Sequence, residues 1–160
     1  MPGTQAPVTA ACLIDAPNEP APMTRITFYI LQGSYQQGLQ TLCRITEKAS
    51  AQGHSIFIHA PDQNLAQQMD ILLWTWNEQS FIAHDLAEQA DEASAVVIGK
   101  SPPEHLDGVL INLDPEVPPV FSRFSRVVEI VAGDEAQKAA ARERFRFYKD
   151  RGYPLETHEL

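Results

Sequence analysis

The side chains with the clearest capacity for chemistry are cations near the C-terminus. Residues 138–151 read KAAARERFRFYKDR and hold six of the twelve Lys and Arg residues of a 160-residue chain whose formal charge is −9. Set against Glu143 and Asp150, the stretch carries +4, which leaves −13 for the remainder. At helical spacing Lys138, Arg142, Phe145, Arg146 and Lys149 fall on one face. An aromatic ring among cations, on an acidic protein, suits an anion that also carries an apolar anchor. A guanidinium grips a carboxylate with a two-pronged fork, an ammonium attracts at longer range, and the ring supplies contact area. The competing reading is a terminal helix with a solvated basic face. Arg144 and Arg151 are read as ordinary solvated charges.

Other chemistries find less support. The five histidines, His54, His59, His84, His105 and His158, lack HxxxH or HExxH spacing, so no metal site is expected. His59 lies at the C-terminal end of a strand-like run with Asp62 nearby. A small α/β enzyme could use such a pair as a general base and its orienting carboxylate, but a polar strand end facing solvent is the favoured reading. The loop 32–38 (QGSYQQG) has neither GxGxxG nor GxxxxGK[ST], so its backbone is not built to cradle phosphates and no cofactor is expected. There is no GxSxG elbow. Cys43, inside LCRI, reads as a small buried residue, and Cys12 and Cys43 alone make neither a disulfide framework nor a zinc site. Glu88, Asp91 and Glu92 lack the alternation of a calcium loop and read as solvated. Trp74 and Trp76 diverge by about 200° on a helix, so both cannot face the core. One of them, with Phe81, is a candidate protein-interface anchor; the alternative is an outer Trp that caps the core.

These residues need a scaffold, and the pattern supplies one. Residues 1–22 are rich in Pro, Ala and Thr without a period and are expected to be a disordered extension; Met23 then opens a single α/β domain spanning 23–160, and is the expected start of the biological chain. Residues 25–31, 55–59, 95–98, 108–113 and 126–131 are β-branched or aromatic runs. Helical stripes occupy 38–52, from Asp62 to about Trp76, and 135–151 with Asp134 as N-cap; Ser80–His84 is a short extended candidate. The expected architecture is α/β and Rossmann-like, a mostly parallel sheet of about five strands with helices on both faces. With 44% hydrophobic and 21% charged residues the composition is ordinary for a soluble domain. No apolar run reaches the ~18–20 residues of a membrane span, and no basic-then-apolar leader is present. A cytoplasmic location is therefore expected. The −13 outside the basic stretch argues against strong direct DNA binding.

The chain from Met23 onward resembles the chi-subunit family of bacterial DNA polymerase III, an accessory member of the clamp-loader complex. The matching stretches, in collinear order, are TFYIL (Thr27–Leu31), LCRI (Leu42–Ile45), LLWTWNEQSFIAHDLA (Leu72–Ala87), INL (Ile111–Leu113) and ARERFRFYKDRGYPL (Ala141–Leu155). The resemblance implies an adaptor without catalytic chemistry of its own. It implies a contact with the acidic C-terminal tail of single-stranded-DNA-binding protein through Lys138, Arg142, Phe145 and Arg146, where the family commonly has Tyr and Lys in place of Phe145 and Arg146. It also implies a psi-like subunit at Trp74 and Phe81, with a helicase as a further candidate on the same aromatic surface. The second tryptophan, Trp76, departs from the family pattern and could share that role.

Overall fold

From Ile26 onward the run RITFYI is apolar on both parities, and in β1 (Arg25–Ile30) the structure buries Ile26, Thr27 and Phe28 and leaves Tyr29 and Ile30 half-buried. The structure is a computed structural model that describes residues 23–77 and 82–160; the N-terminal lead-in lies outside the described residues. After β1 come α1 (Tyr35–Ala51), β2 (Ile56–His59), α2 (Gln63–Thr75), β3 (Asp85–Leu86), β4 (Val96–Gly99), β5 (Val109–Asn112), β6 (Arg126–Val131), α3 (Glu135–Asp150) and β7 (Leu155–Glu159). Short 3-10 turns occupy Ala87–Gln89 and Phe121–Arg123. The strands form one sheet in the order β3-β4-β2-β5-β6-β1-β7, and each neighbouring pair is parallel.

A parallel sheet of this kind must be covered on both faces, and alternation along each strand divides the core in two. On one face α1 and α2 set Leu39, Leu42, Met69 and Leu73 against Ile56, Ile58 and Ile98. On the other, α3 and the second 3-10 turn set Tyr148, Phe121 and Phe124 against Phe28, Phe57 and Leu110. Each fully buried Leu or Phe contributes on the order of 1.5–3 kcal/mol by leaving water. The two clusters therefore fix where each helix, and each functional side chain on it, must lie.

The α/β class, the parallel pairing and the two-sided helix cover match the sequence reading, while the strand count rises from about five to seven. Both additional strands are at the edges. β7 (LETHE) has one apolar residue and no pattern to read. It is held by its ladder to β1, extended at both ends where Ile26 N donates to Pro154 O and Leu160 N to Ile30 O, each at 2.9 Å. An edge strand pairs on one side only, so it can form without an apolar stripe. β3 has two residues and begins at Asp85, just beyond the extended piece expected at Ser80–His84, part of which lies outside the described residues. α1 begins at Tyr35 rather than Gly38 because Ser34 and Gln37 form a capping box: Gln37 N donates to Ser34 Oγ (3.1 Å) and Ser34 N donates to Gln37 Oε1 (2.8 Å). Asp134 caps α3 as expected, and Asp62, expected at the start of α2, is its cap.

Candidate functional site

α3 begins at a second capping box, in which Gln137 N donates to Asp134 Oδ1 (3.0 Å) and Asp134 N to Gln137 Oε1 (2.9 Å). The helix turns Ala141, Arg144 and Tyr148 inward. Beside it, toward the β1–β7 edge of the sheet, runs a groove of about 400 Å³. Its floor is Phe28 and Ile30 from β1, Val131 from β6 and Ala141 from α3, with Thr157 and Gln32 as polar neighbours and Lys138, Arg142 and Phe145 along the helix side. A second hollow of about 460 Å³ continues past it, lined by Arg142, Phe145, Arg146, Lys149 and Asp150. The four residues singled out from the sequence thus assemble: Arg142 and Phe145 wall both hollows, Lys138 borders the first and Arg146 the second. The Phe145 ring meets Phe28 edge-to-face at 5.3 Å, which orients the wall between them.

The rim cations are held lightly. Arg142 Nη2 donates to Glu135 Oε2 (2.5 Å) and Arg146 Nη1 to Glu143 Oε2 (2.8 Å), and all four side chains are at least 61% exposed. Hydrogen bonding from Arg142 holds the Glu135 carboxyl below the ordinary range, so the pair is charged at neutral pH. Exposed pairs of this kind add little to stability. Either guanidinium can therefore exchange its carboxylate for one on a ligand at small cost. The groove offers an apolar seat next to two such guanidinium groups, which is the chemistry needed for an acidic segment with an apolar anchor.

Arg144 corrects the sequence reading of a solvated charge. It is buried, its Nε donates to Glu129 Oε1 at 2.9 Å, and its Nη1 donates to Pro115 O at 3.0 Å. Glu129 on β6 is fully buried and also accepts from Asn112 Nδ2 (3.0 Å) and the Tyr148 hydroxyl (2.8 Å). Burial pushes the Glu129 carboxyl up, while Arg144 and the donors from Asn112 and Tyr148 pull against it. Burial, and then the neighbouring Glu129, also push the Tyr148 hydroxyl up. This network ties α3 to β5 and β6, and Arg144, Asn112 and Pro115 line the crevice at the strand ends rather than the α3 groove. Arg151 stays exposed, with its guanidinium 3.7 Å from the centre of the Phe147 ring.

The C-terminal end of α2 presents a different surface. Trp74 is 49% exposed and Ile71, one turn earlier, 62%, whereas Trp76 packs against the core. The divergence expected of the two tryptophans is therefore realised, with Trp74 as the outer one. Its ring lies 4.5 Å from that of His84. His84 is buried and fixed from both sides, with Nδ1 2.7 Å from Ile82 O and Nε2 3.0 Å from Asp70 Oδ1. Trp74 thus stands on a rigid base. Phe81, the other residue assigned to this surface, lies outside the described residues.

The His59–Asp62 pairing does not form. His59 is buried rather than solvent-facing, and its Nε2 lies 3.1 Å from Asp114 Oδ2. Asp62 instead accepts from Leu65 N (2.8 Å) as the cap of α2. A crevice of about 400 Å³ does open at the carboxyl ends of the strands, where α/β ligands bind, but His59 is not part of its wall. Burial pushes the Cys43 thiol up to about 12, which removes it as a nucleophile. Among the described residues there is no group of three or more His, Cys, Asp and Glu placed to hold a metal, and no helix is long and apolar enough to cross a membrane.

Sequence reasoning named the rim of the α3 groove and missed its floor. Phe28 and Ile30 could have been assigned to one face of β1 by parity, but which face meets α3 is a tertiary fact. Thr157 sits on a strand with no sequence signal.

The described residues thus form a small α/β domain with a basic, apolar-floored groove beside α3. Residues 23–156 match the family model described as DNA polymerase III chi subunit, HolC. The DNA polymerase III subunit chi of Pseudomonas aeruginosa is 41% identical over 140 residues, covering 86% of this chain and 98% of that protein. Those of Escherichia coli and Haemophilus influenzae are 29% and 26% identical, covering 84% and 83% of this chain and 97% and 95% of theirs. The chain belongs to the chi-subunit family of DNA polymerase III, and its place is in DNA replication as an accessory, non-catalytic subunit. Among solved structures, T4 UvsW superposes with a TM-score of 0.60 at 8% identity, over 85% of this chain and 42% of that one, a likeness of fold alone.

Proposed function

We propose that this chain is a replisome adaptor that holds the acidic C-terminal tail of single-stranded-DNA-binding protein in the α3 groove and joins the clamp-loader complex through a psi-like subunit at the Trp74 surface. The observation that carries the reading is the groove itself, an apolar floor of Phe28, Ile30 and Val131 beside Lys138, Arg142 and Phe145. A tail ending in an aromatic residue places its ring on that floor and its terminal carboxylate in the fork of Arg142, while Arg146 draws the preceding acidic residues. Few anchors must offset the ordering of an extended tail, so the affinity is on the order of micromolar. Phe81 joins Trp74 in the psi-facing surface, and a helicase competes there with the psi-like subunit. The reading places the protein in the cytoplasm.

The test is a pull-down of this chain with single-stranded-DNA-binding protein, intact and lacking its last few residues. Retention of the intact protein and loss of the truncated one is expected. Equal retention of both would remove the tail from the reading.

A further inference from the structure

β1 divides its side chains between two sides of the sheet. Phe28 and Ile30 enter the α3 groove, while Arg25 and Tyr29 enter a second groove on the α1 side. The second groove measures about 480 Å³ and lies between the C-terminal half of α1 and strands β6 and β1. Its floor is Tyr29, Ile45 and Val128, and its cations are Arg25, Lys48 and Arg126. Six Lys and Arg residues lie outside the basic stretch of α3, and these are three of them, so the charge here is a concentration and not a sample of the surface.

We propose that this α1-side groove is a second docking site, for an acidic extended segment supplied by a partner protein. Glu156 of β7 marks where a partner carboxylate would sit: its Oε1 lies 3.8 Å from both Arg25 Nη2 and Arg126 Nη1. That distance is long for an ion pair and all three side chains are at least 36% exposed, so Glu156 is easily displaced. Arg126 is also aimed from behind, because its Nη1 donates to the buried Thr27 Oγ1 at 3.1 Å. Charge complementarity favours a peptide over a nucleic acid. The three cations are too few to overcome a chain of −9 against a polyphosphate, and the apolar floor needs a side chain to cover it. The assignment does not rest on the α3 groove being a tail site.

Calorimetric titration of the full chain with the peptide Asp-Leu-Asp-Leu-Asp-Phe measures the number of sites. Two are expected in the wild type and one in the Arg25→Glu/Lys48→Glu variant, whose changed side chains lie at the groove rim. One is also expected in Arg142→Ala, which removes only the α3 site. Thermal melts of each variant confirm folding, and Lys48→Glu alone should weaken the α1-side site about tenfold with the β1 and β6 contacts intact. A single site abolished by Arg142→Ala would overturn the proposal and leave the α3 reading standing. Binding of an oligo(dT) that is lost in Arg25→Glu/Lys48→Glu would overturn it in favour of nucleic acid. Tighter peptide binding by Asp15→Asn/Glu19→Gln would overturn it in favour of the chain's own N-terminal segment as occupant.

Discussion

Arg142 and Arg144 are two residues apart on α3 and belong to different regions of the molecule. Arg142 stands at the rim of the groove, 61% exposed, with a carboxylate from its own helix as a loosely held partner. Arg144 is buried on the side of α3 that faces β5 and β6 and is locked to Glu129, Pro115 and, through Glu129, to Asn112 and Tyr148. The same side chain is thus exposed and exchangeable in one place and architectural in the other. Solvent decides which. At the rim, water screens the charge, so the pair with Glu135 is exchangeable and the guanidinium is available to a ligand. In the interior, each charge is worth keeping only because the other is there, and the geometry is correspondingly complete.

The largest effect that would break this comparison is on stability. Arg144→Ala leaves the Glu129 carboxylate buried with its main counter-charge gone, and we expect a loss of ~3–5 kcal/mol in urea denaturation. Arg142→Ala should leave the same curve within ~0.5 kcal/mol. If the two variants unfold alike, the division of α3 into an architectural and a recognition face is wrong.

Next comes the binding side of the same pair. Arg142→Ala should weaken an acidic, Phe-terminated peptide by about tenfold or more in calorimetric titration, because a charge-assisted, two-pronged hydrogen bond is removed. Arg142→Lys should recover part of the loss, since an ammonium keeps the charge without the fork. Full recovery by lysine would reduce the role of Arg142 to long-range attraction.

The Trp74 surface, proposed above as the psi-facing one, extends the contrast to an exposed aromatic patch. Trp74→Ala should weaken co-purification of a psi-like partner severalfold and leave peptide binding at α3 unchanged, since aromatic anchors dominate such contacts. Loss of both partners together would mean that the two surfaces are not independent.

These contrasts also explain what could be read from the chain before folding. The five inner strands, the Asp134 cap and, through their alternation with helices, the α/β class follow from short-range pattern, because each element depends on residues within a turn or two of one another. Lys138, Arg142, Phe145 and Arg146 share a helix face, so their proximity was legible too. Arg144 was not: it lies within the same run of charges, and nothing local distinguishes a guanidinium that will meet a buried Glu129 fifteen residues upstream. The groove floor was hidden for the same reason, since Phe28 and Thr157 reach it only through the β1–β7 pairing of a strand that has no apolar stripe. For His59 neither the favoured solvent-facing strand end nor the alternative pair with Asp62 holds: it is buried, and Asp114, distant in sequence, is its neighbour in space. Short-range signals find rims and caps; floors and buried counter-ions are products of topology.

The smallest effect sharpens the comparison most. If Arg142 is available because Glu135 holds it weakly, then removing Glu135 should help the ligand. Glu135→Gln deletes the competing charge while keeping a side chain of the same size at the first turn of α3. It should tighten the acidic peptide by about twofold at low salt, an advantage that fades as ionic strength shortens the screening length from ~10 Å at 0.1 M to ~3 Å at 1 M. Fluorescence anisotropy across that salt range measures it. The counterpart in the interior, Glu129→Gln, should do the opposite in the same assay. It leaves Arg144 without its anion and loosens the hold of Glu129 on Arg144 and Tyr148 of α3, so it weakens the peptide through the seating of the helix, together with the fold. A gain at Glu135 and a loss at Glu129 would show one helix using two of its carboxylate partners in opposite senses, one to be displaced and one to be kept.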